Sequence, residues 1–192
     1  MIAALLAAMW LNGATATALP GVHAERLEFR KPIPDVEVVD HEGRKLRFHS
    51  DLIRGRTVVV NAVYTDCTSV CPLLAQTFGR LQAALGDRLG KDVFLISISR
   101  DPENDAPEKL AAWRNRYGAK SGWSVVTGEK EAIDEVLELL TGDRSFRGGH
   151  SAIALLGDDA TGIWLRDYGA DTPEHYQEVL RYLAAARLQA SR

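Results

Sequence analysis

The chain of 192 residues carries 23 Lys and Arg against 26 Asp and Glu, for a net charge of −3, and 46% of it is apolar. That length and balance describe one ordinary globular domain, long enough to bury a core without disulfide staples. The slight negative charge offers no basic field for phosphates, which excludes a nucleic-acid partner by bulk electrostatics, and the spread of apolar and aromatic residues excludes low-complexity disorder.

The first ionised side chain is Glu25. Met1 to Leu11 is an unbroken apolar run, shorter than the roughly 20 residues a membrane-spanning helix needs and of the length of a signal-peptide core. Small residues at Ala14 and Ala16, and again at Val22 and Ala24, fit a cleavage site. Residues 1–24 therefore read as a signal peptide or short apolar leader, and residues 25–192 as a single domain placed outside the cytoplasm.

After the extended Lys31-Pro32-Ile33-Pro34 segment, Asp35–Val39 and Arg44–Phe48 read as a hairpin turned at Asp40 to Gly43. Thr57–Tyr64 is β-rich and apolar, the mark of a central strand covered on both faces. Leu74, Phe78, Leu81, Leu85 and Leu89 recur at helical spacing from Leu73 onward. Val93–Ser99 reads as a second buried strand, Glu108–Tyr117 as a helix, Trp123–Val126 as a strand and Glu129–Leu140 as a helix. A hairpin of Ser151–Leu156 and Ile163–Asp167 follows, its Asp158-Asp159 pair reading as a solvated tip, and Pro173–Leu188 closes the chain as a helix. This order predicts an α/β fold, a thioredoxin-like mixed sheet flanked by helices, with an extra N-terminal β-hairpin. Trp113, Trp123 and Trp164 read as core or interface packing.

The only cysteines, Cys67 and Cys71, stand four apart where the central strand turns into the first helix. Free backbone N–H groups and the helix dipole favour a thiolate at such a place, whereas the neighbouring Asp66 would oppose it. A structural disulfide closing so small a loop contributes little by chain entropy. A reversible dithiol/disulfide pair fits the spacing. A soft-metal site fits as well, since two thiolates prefer copper(I) or zinc, but it needs a third ligand. Of five histidines, His23, His41, His49 and His175 read as solvated residues. His150 differs, because it follows Gly148-Gly149 at the entrance to a strand that, in a thioredoxin-like sheet, runs back toward the cysteine end.

The segments Val63–Pro72 (VYTDCTSVCP), Ser97–Glu108 (SISRDPENDAPE), Gly122-Trp123 with Thr127-Gly128, and His150 followed by Trp164-Leu165-Arg166 resemble the Sco/SenC proteins over roughly Pro34 to Leu183. These are thioredoxin-like copper proteins of cytochrome oxidase assembly. The resemblance implies that Cys67, Cys71 and His150 bind copper(I) and copper(II), with Asp101 as the acidic residue beside the site. It further implies delivery of copper to the binuclear copper site of cytochrome c oxidase, with the copper-site subunit as partner and other periplasmic copper donors or thiol reductants upstream. A second expectation is thiol-disulfide oxidoreduction, in which Cys67 attacks, Cys71 resolves through the Cys67–Cys71 disulfide, and the oxidase's copper-ligand cysteines are reduced. A peroxiredoxin-like peroxidase is matched poorly, because Thr65 and the paired cysteines do not reproduce that motif.

Overall fold

The computed structural model describes residues 24–29, 31–141, 152–168 and 172–192. In chain order the elements are β1 (Glu25–Leu27), β2 (Glu37–Asp40), β3 (Lys45–Arg47), β4 (Thr57–Val63), α1 (Val70–Leu85), β5 (Val93–Ser99), α2 (Pro107–Arg116), β6 (Trp123–Thr127), α3 (Lys130–Thr141), β7 (Ile153–Asp158), β8 (Ile163–Tyr168) and α4 (Pro173–Ala190). The eight strands of the described residues join one sheet in the order β1-β8-β7-β4-β5-β6-β2-β3. The β4, β5 and β6 strands are parallel, joined through helices, and every other pairing is antiparallel, so the sheet is mixed as expected.

The apolar runs of β4 and β5 are explained by burial on both faces. Their period of two, continued in β6, sends Val59, Val63, Leu95, Trp123 and Val125 to one face, under α1, α2 and α4. Val58, Val60, Ile96, Ile98 and Val126 face the other way, under α3 and a wide helical turn at Phe48–Ile53. A buried polar chain stitches three strands together: Trp123 Nε1 donates to Ser97 Oγ at 3.0 Å, and Ser97 donates to Asn61 Oδ1 at 2.7 Å. The three tryptophans are at most 3% exposed, as core packing requires.

Several local expectations need correction. The first helix begins at Val70 and ends at Leu85, because Gly86 takes φ +53 and breaks the spiral, so Leu89 belongs to the loop beyond it. Phe48 opens the wide turn instead of ending a strand. A three-residue edge strand, β1, pairs with β8 where no strand was expected.

Asp158 is not a solvated tip: it is fully buried at the end of β7, where it accepts from Thr57 Oγ1 (2.7 Å), Arg187 (2.9 Å) and the Thr161 N–H (2.9 Å). Asp159 accepts from the Gly55 N–H at 2.7 Å and meets His49 at 3.1 Å. The expected solvation of three histidines also fails. His41 has an 8% exposed side chain beside Glu42, and burial together with Arg114 holds its pKa below the usual value. His49 is bonded to Asp159, and His175 is 10% exposed against Asp167. His23 lies outside the described residues.

Thr172 caps α4, its hydroxyl accepting from the His175 N–H at 3.3 Å, with Pro173 at the first helical position. Thr172→Ala is expected to cost about 1 kcal/mol, a fall in Tm of about 2–4 °C for a domain of this size by thermal unfolding. An unchanged Tm would mean that the cap contributes nothing.

Candidate metal and thiol site

The β4 strand ends at Val63 and α1 begins at Val70, and the turn between them carries the first cysteine. The Cys67 N–H donates to the Tyr64 carbonyl at 3.3 Å, which curls the chain before the helix. Cys67 is partly exposed and Cys71, in the first turn of α1, is 7% exposed; both are free thiols. Ser69 precedes the helix without capping it, and its hydroxyl meets Cys67 Sγ at 3.5 Å instead.

The two sulfurs are electrostatically unequal. Burial works against the Cys67 thiolate, but hydrogen bonds from the Ser69 hydroxyl, the Cys71 and Ser69 backbone and the Cys71 thiol outweigh it and lower the pKa to about 6. Burial pushes the Cys71 thiol up to about 11, over the opposing pull of a Tyr64 backbone hydrogen bond and of Arg100. The pair is thus an exposed, acidic thiol served by a buried, reluctant one, the asymmetry that disulfide exchange uses.

Asp66 does not load charge onto the sulfur as its sequence position suggested. Its carboxylate is 80% exposed and paired with Lys109 at 2.6 Å. Asp101 stands in the turn after β5, where its Oδ1 accepts from Asn104 Nδ2 at 2.9 Å and its N–H donates to Ser99 Oγ at 3.0 Å. The carboxylate that reaches the cysteine turn is Asp105, which the sequence reading did not single out. It is 1% exposed and accepts from Thr65 Oγ1 at 2.5 Å and Ser99 Oγ at 2.6 Å, with Lys109 Nζ 3.4 Å away. The signal that could have found it is an acid four residues after Asp101, just ahead of a proline-started helix, in the segment that follows a strand ending in a serine.

His150, the expected third ligand, lies outside the described residues. Among the described residues no group of three or more His, Cys, Asp and Glu side chains could hold a metal ion. The donor chemistry present, two adjacent thiols of which one is acidic, suits a soft cation and not a hard one.

The SCO1/SenC family profile matches residues 31–184. A Stutzerimonas stutzeri protein named for copper binding is 26% identical over 110 residues, covering 57% of this chain and only 52% of that protein's length. A SCO1 protein homolog of Bacillus subtilis is 25% identical over 160 residues, covering 77% of this chain and 78% of its own. Among solved structures, Bradyrhizobium japonicum ScoI with copper bound superposes at TM-score 0.62 and 23% identity, over 77% of this chain and 96% of that one. BsSco, described as a cytochrome c oxidase assembly protein with a disulfide switch, superposes at TM-score 0.65 and 23% identity, over 83% of this chain and 98% of its own. These superpositions identify the sheet and its helices as the thioredoxin-like fold. With the sequence profile spanning β2 to α4 and both cysteines inside it, the chain belongs to the SCO1/SenC family.

Proposed function

We propose that this protein is a copper-binding assembly factor that works outside the cytoplasm and delivers copper to the binuclear copper site of cytochrome c oxidase. The observation that carries the reading is the pair of free, unequal thiols at the head of α1 in a SCO1/SenC chain. Cys67 and Cys71 supply two soft sulfur ligands, and the imidazole of His150 completes a three-coordinate site suited to copper. Asp101, in the turn after β5, is proposed to tune the copper(II) form. Copper is cargo here: a partner's thiolates take it over by stepwise ligand exchange, the low pKa of Cys67 lets that sulfur bind and leave near neutral pH, and no electron need move. The relatives named for copper, and BsSco's link to oxidase assembly, support this assignment. The proposed partners are the oxidase's copper-site subunit and periplasmic copper donors or thiol reductants. Residues 1–24 are proposed as the leader that exports the domain formed by residues 25–192.

Anaerobic titration with copper(I), and separately with copper(II), tests the reading. Wild type is expected to bind one copper per chain, Cys67→Ser and Cys71→Ser to lose high-affinity binding, and His150→Ala to weaken it with a changed copper(II) absorption spectrum. Absence of copper binding in wild type, or binding indifferent to His150→Ala, overturns it.

The thiol asymmetry also favours a second reading, reduction of the oxidase's copper-ligand cysteines when these are oxidised. The Cys67 thiolate attacks the partner's disulfide and expels one partner thiolate. Cys71 then attacks the mixed disulfide, releasing the second partner thiol and leaving the Cys67–Cys71 disulfide. Two electrons pass to the partner, and an external thiol reductant restores the dithiol.

A further inference from the structure

Four consecutive residues leading to Cys67 are each gripped by the segment that follows β5. The Val63 carbonyl accepts from the Arg100 N–H at 2.9 Å, and the Arg100 guanidinium lies 5.2 Å from the centre of the Tyr64 ring. Thr65 donates to Asp105, and Asp66 is paired with Lys109, which also approaches Asp105 at 3.4 Å. Asp105 is the inner element of this grip: almost wholly buried, it joins the cysteine turn through Thr65 to the end of β5 through Ser99. Its own position is set by the Asp105 N–H, which donates to the Asp101 carbonyl at 2.9 Å, and by the start of α2 two residues later.

A buried carboxylate is retained at a cost unless its oxygens are satisfied, and here hydroxyl donors from the cysteine turn and β5 and an ammonium from α2 satisfy them together. Removing it would leave the Thr65 and Ser99 hydroxyls without their acceptor in the interior and release the inner half of the turn. The outer contacts are weaker holds, because the Asp66–Lys109 pair is solvent-exposed and worth little by itself.

We propose that Asp105 is a positioning residue for the cysteine pair, holding the Thr65–Cys67 turn in its dithiol arrangement and so setting how readily Cys67 and Cys71 close to a disulfide. The inference rests on reading these cysteines as the working pair. It concerns the metal-free thiols, so its failure is distinguishable from failure of the copper assignment.

The test is equilibration of the metal-free protein with glutathione redox buffers, following dithiol plus glutathione disulfide going to protein disulfide plus two glutathione. Asp105→Ala and Thr65→Val are each expected to shift this equilibrium toward the protein disulfide by about tenfold, equivalent to about 30 mV, because the restraint on the open turn is lost. Asp105→Asn, which keeps one carbonyl oxygen for the Thr65 hydroxyl, is expected to fall between alanine and wild type. Thermal unfolding of each variant reports lost stability separately. If Asp105→Ala and Thr65→Val lower the Tm while leaving the glutathione equilibrium within twofold of wild type, or shift it toward the dithiol, Asp105 is merely structural and the proposal fails. If Asp105→Ala does not fold, Thr65→Val and Asp105→Asn carry the same comparison, the first shifted and the second partly so.

Discussion

At pH 7, iodoacetamide is expected to modify Cys67 and leave Cys71 a free thiol. With its pKa near 6 Cys67 is mostly thiolate at that pH, whereas Cys71, near 11, is thiolate on the order of one part in ten thousand. Thiolate nucleophilicity falls with acidity, by roughly 0.4–0.5 log unit per pKa unit, which over the roughly five units between them returns about two to two and a half of those four decades to Cys71. A preference of about thirtyfold to a hundredfold for Cys67 remains, before the burial of Cys71 adds to it. The sign of the pH dependence follows from the same shifts. Cys67 labelling should hold steady above about pH 6 and fall roughly tenfold per unit below it, while Cys71 labelling should climb through the alkaline range toward 11. Peptide mass spectrometry after brief single-hit labelling reads both sites. Equal labelling at pH 7, or no break in the Cys67 profile near 6, would show that the asymmetry is not a property of the folded protein.

Gly157→Ala should be the most damaging small substitution in the sheet. Gly157 sits opposite Trp164 on β8, and a Cβ added there would lie 2.1 Å from the indole's Cε3. Neither side can give way cheaply. Gly157 is flanked on its other side by Val58 of β4, and the Trp164 ring is 3% exposed and packs at 5.4 Å against Phe29. Overpacking of this kind costs about 3 kcal/mol, a large share of the stability of a domain. Chemical denaturation of Gly157→Ala, Trp164→Leu and the double variant separates the causes. If the clash with the indole is the mechanism, Trp164→Leu should recover part of the loss caused by the alanine. Purely additive effects would point to backbone causes instead.

What the sequence made legible follows the strength of each physical signal. The β4 and β5 strands stand out because burial on both faces writes a continuous apolar run, and α1 because its inward residues repeat every three or four positions. The edge strand β1 carries no such pattern, since Glu-Arg-Leu is mostly exposed and its pairing comes from β8, some 140 residues away. Asp158 was misread because a doubled aspartate near a glycine looks like a turn; its true partners, Thr57 and Arg187, are 101 and 29 residues distant. The cysteine pair was readable from rarity and spacing alone. The role of Asp105 was not, because its partner Thr65, 40 residues away, is brought to it only by the crossover that sets β5 beside β4.

The Asp158 and Asp159 cluster has a mechanical consequence. It lies at the start of β4, at the opposite end of that strand from Cys67, and gathers Thr57, Gly55, His49 and Arg187 onto two adjacent carboxylates. Those contacts fasten the central strand, the wide turn, the final hairpin and the C-terminal helix to one another at a single point. The domain therefore has an anchored base and a working rim. On the proposed reading of the cysteines, chemistry at the turn above β4 takes place at the far end of the strand from this fastening, so it need not disturb those contacts.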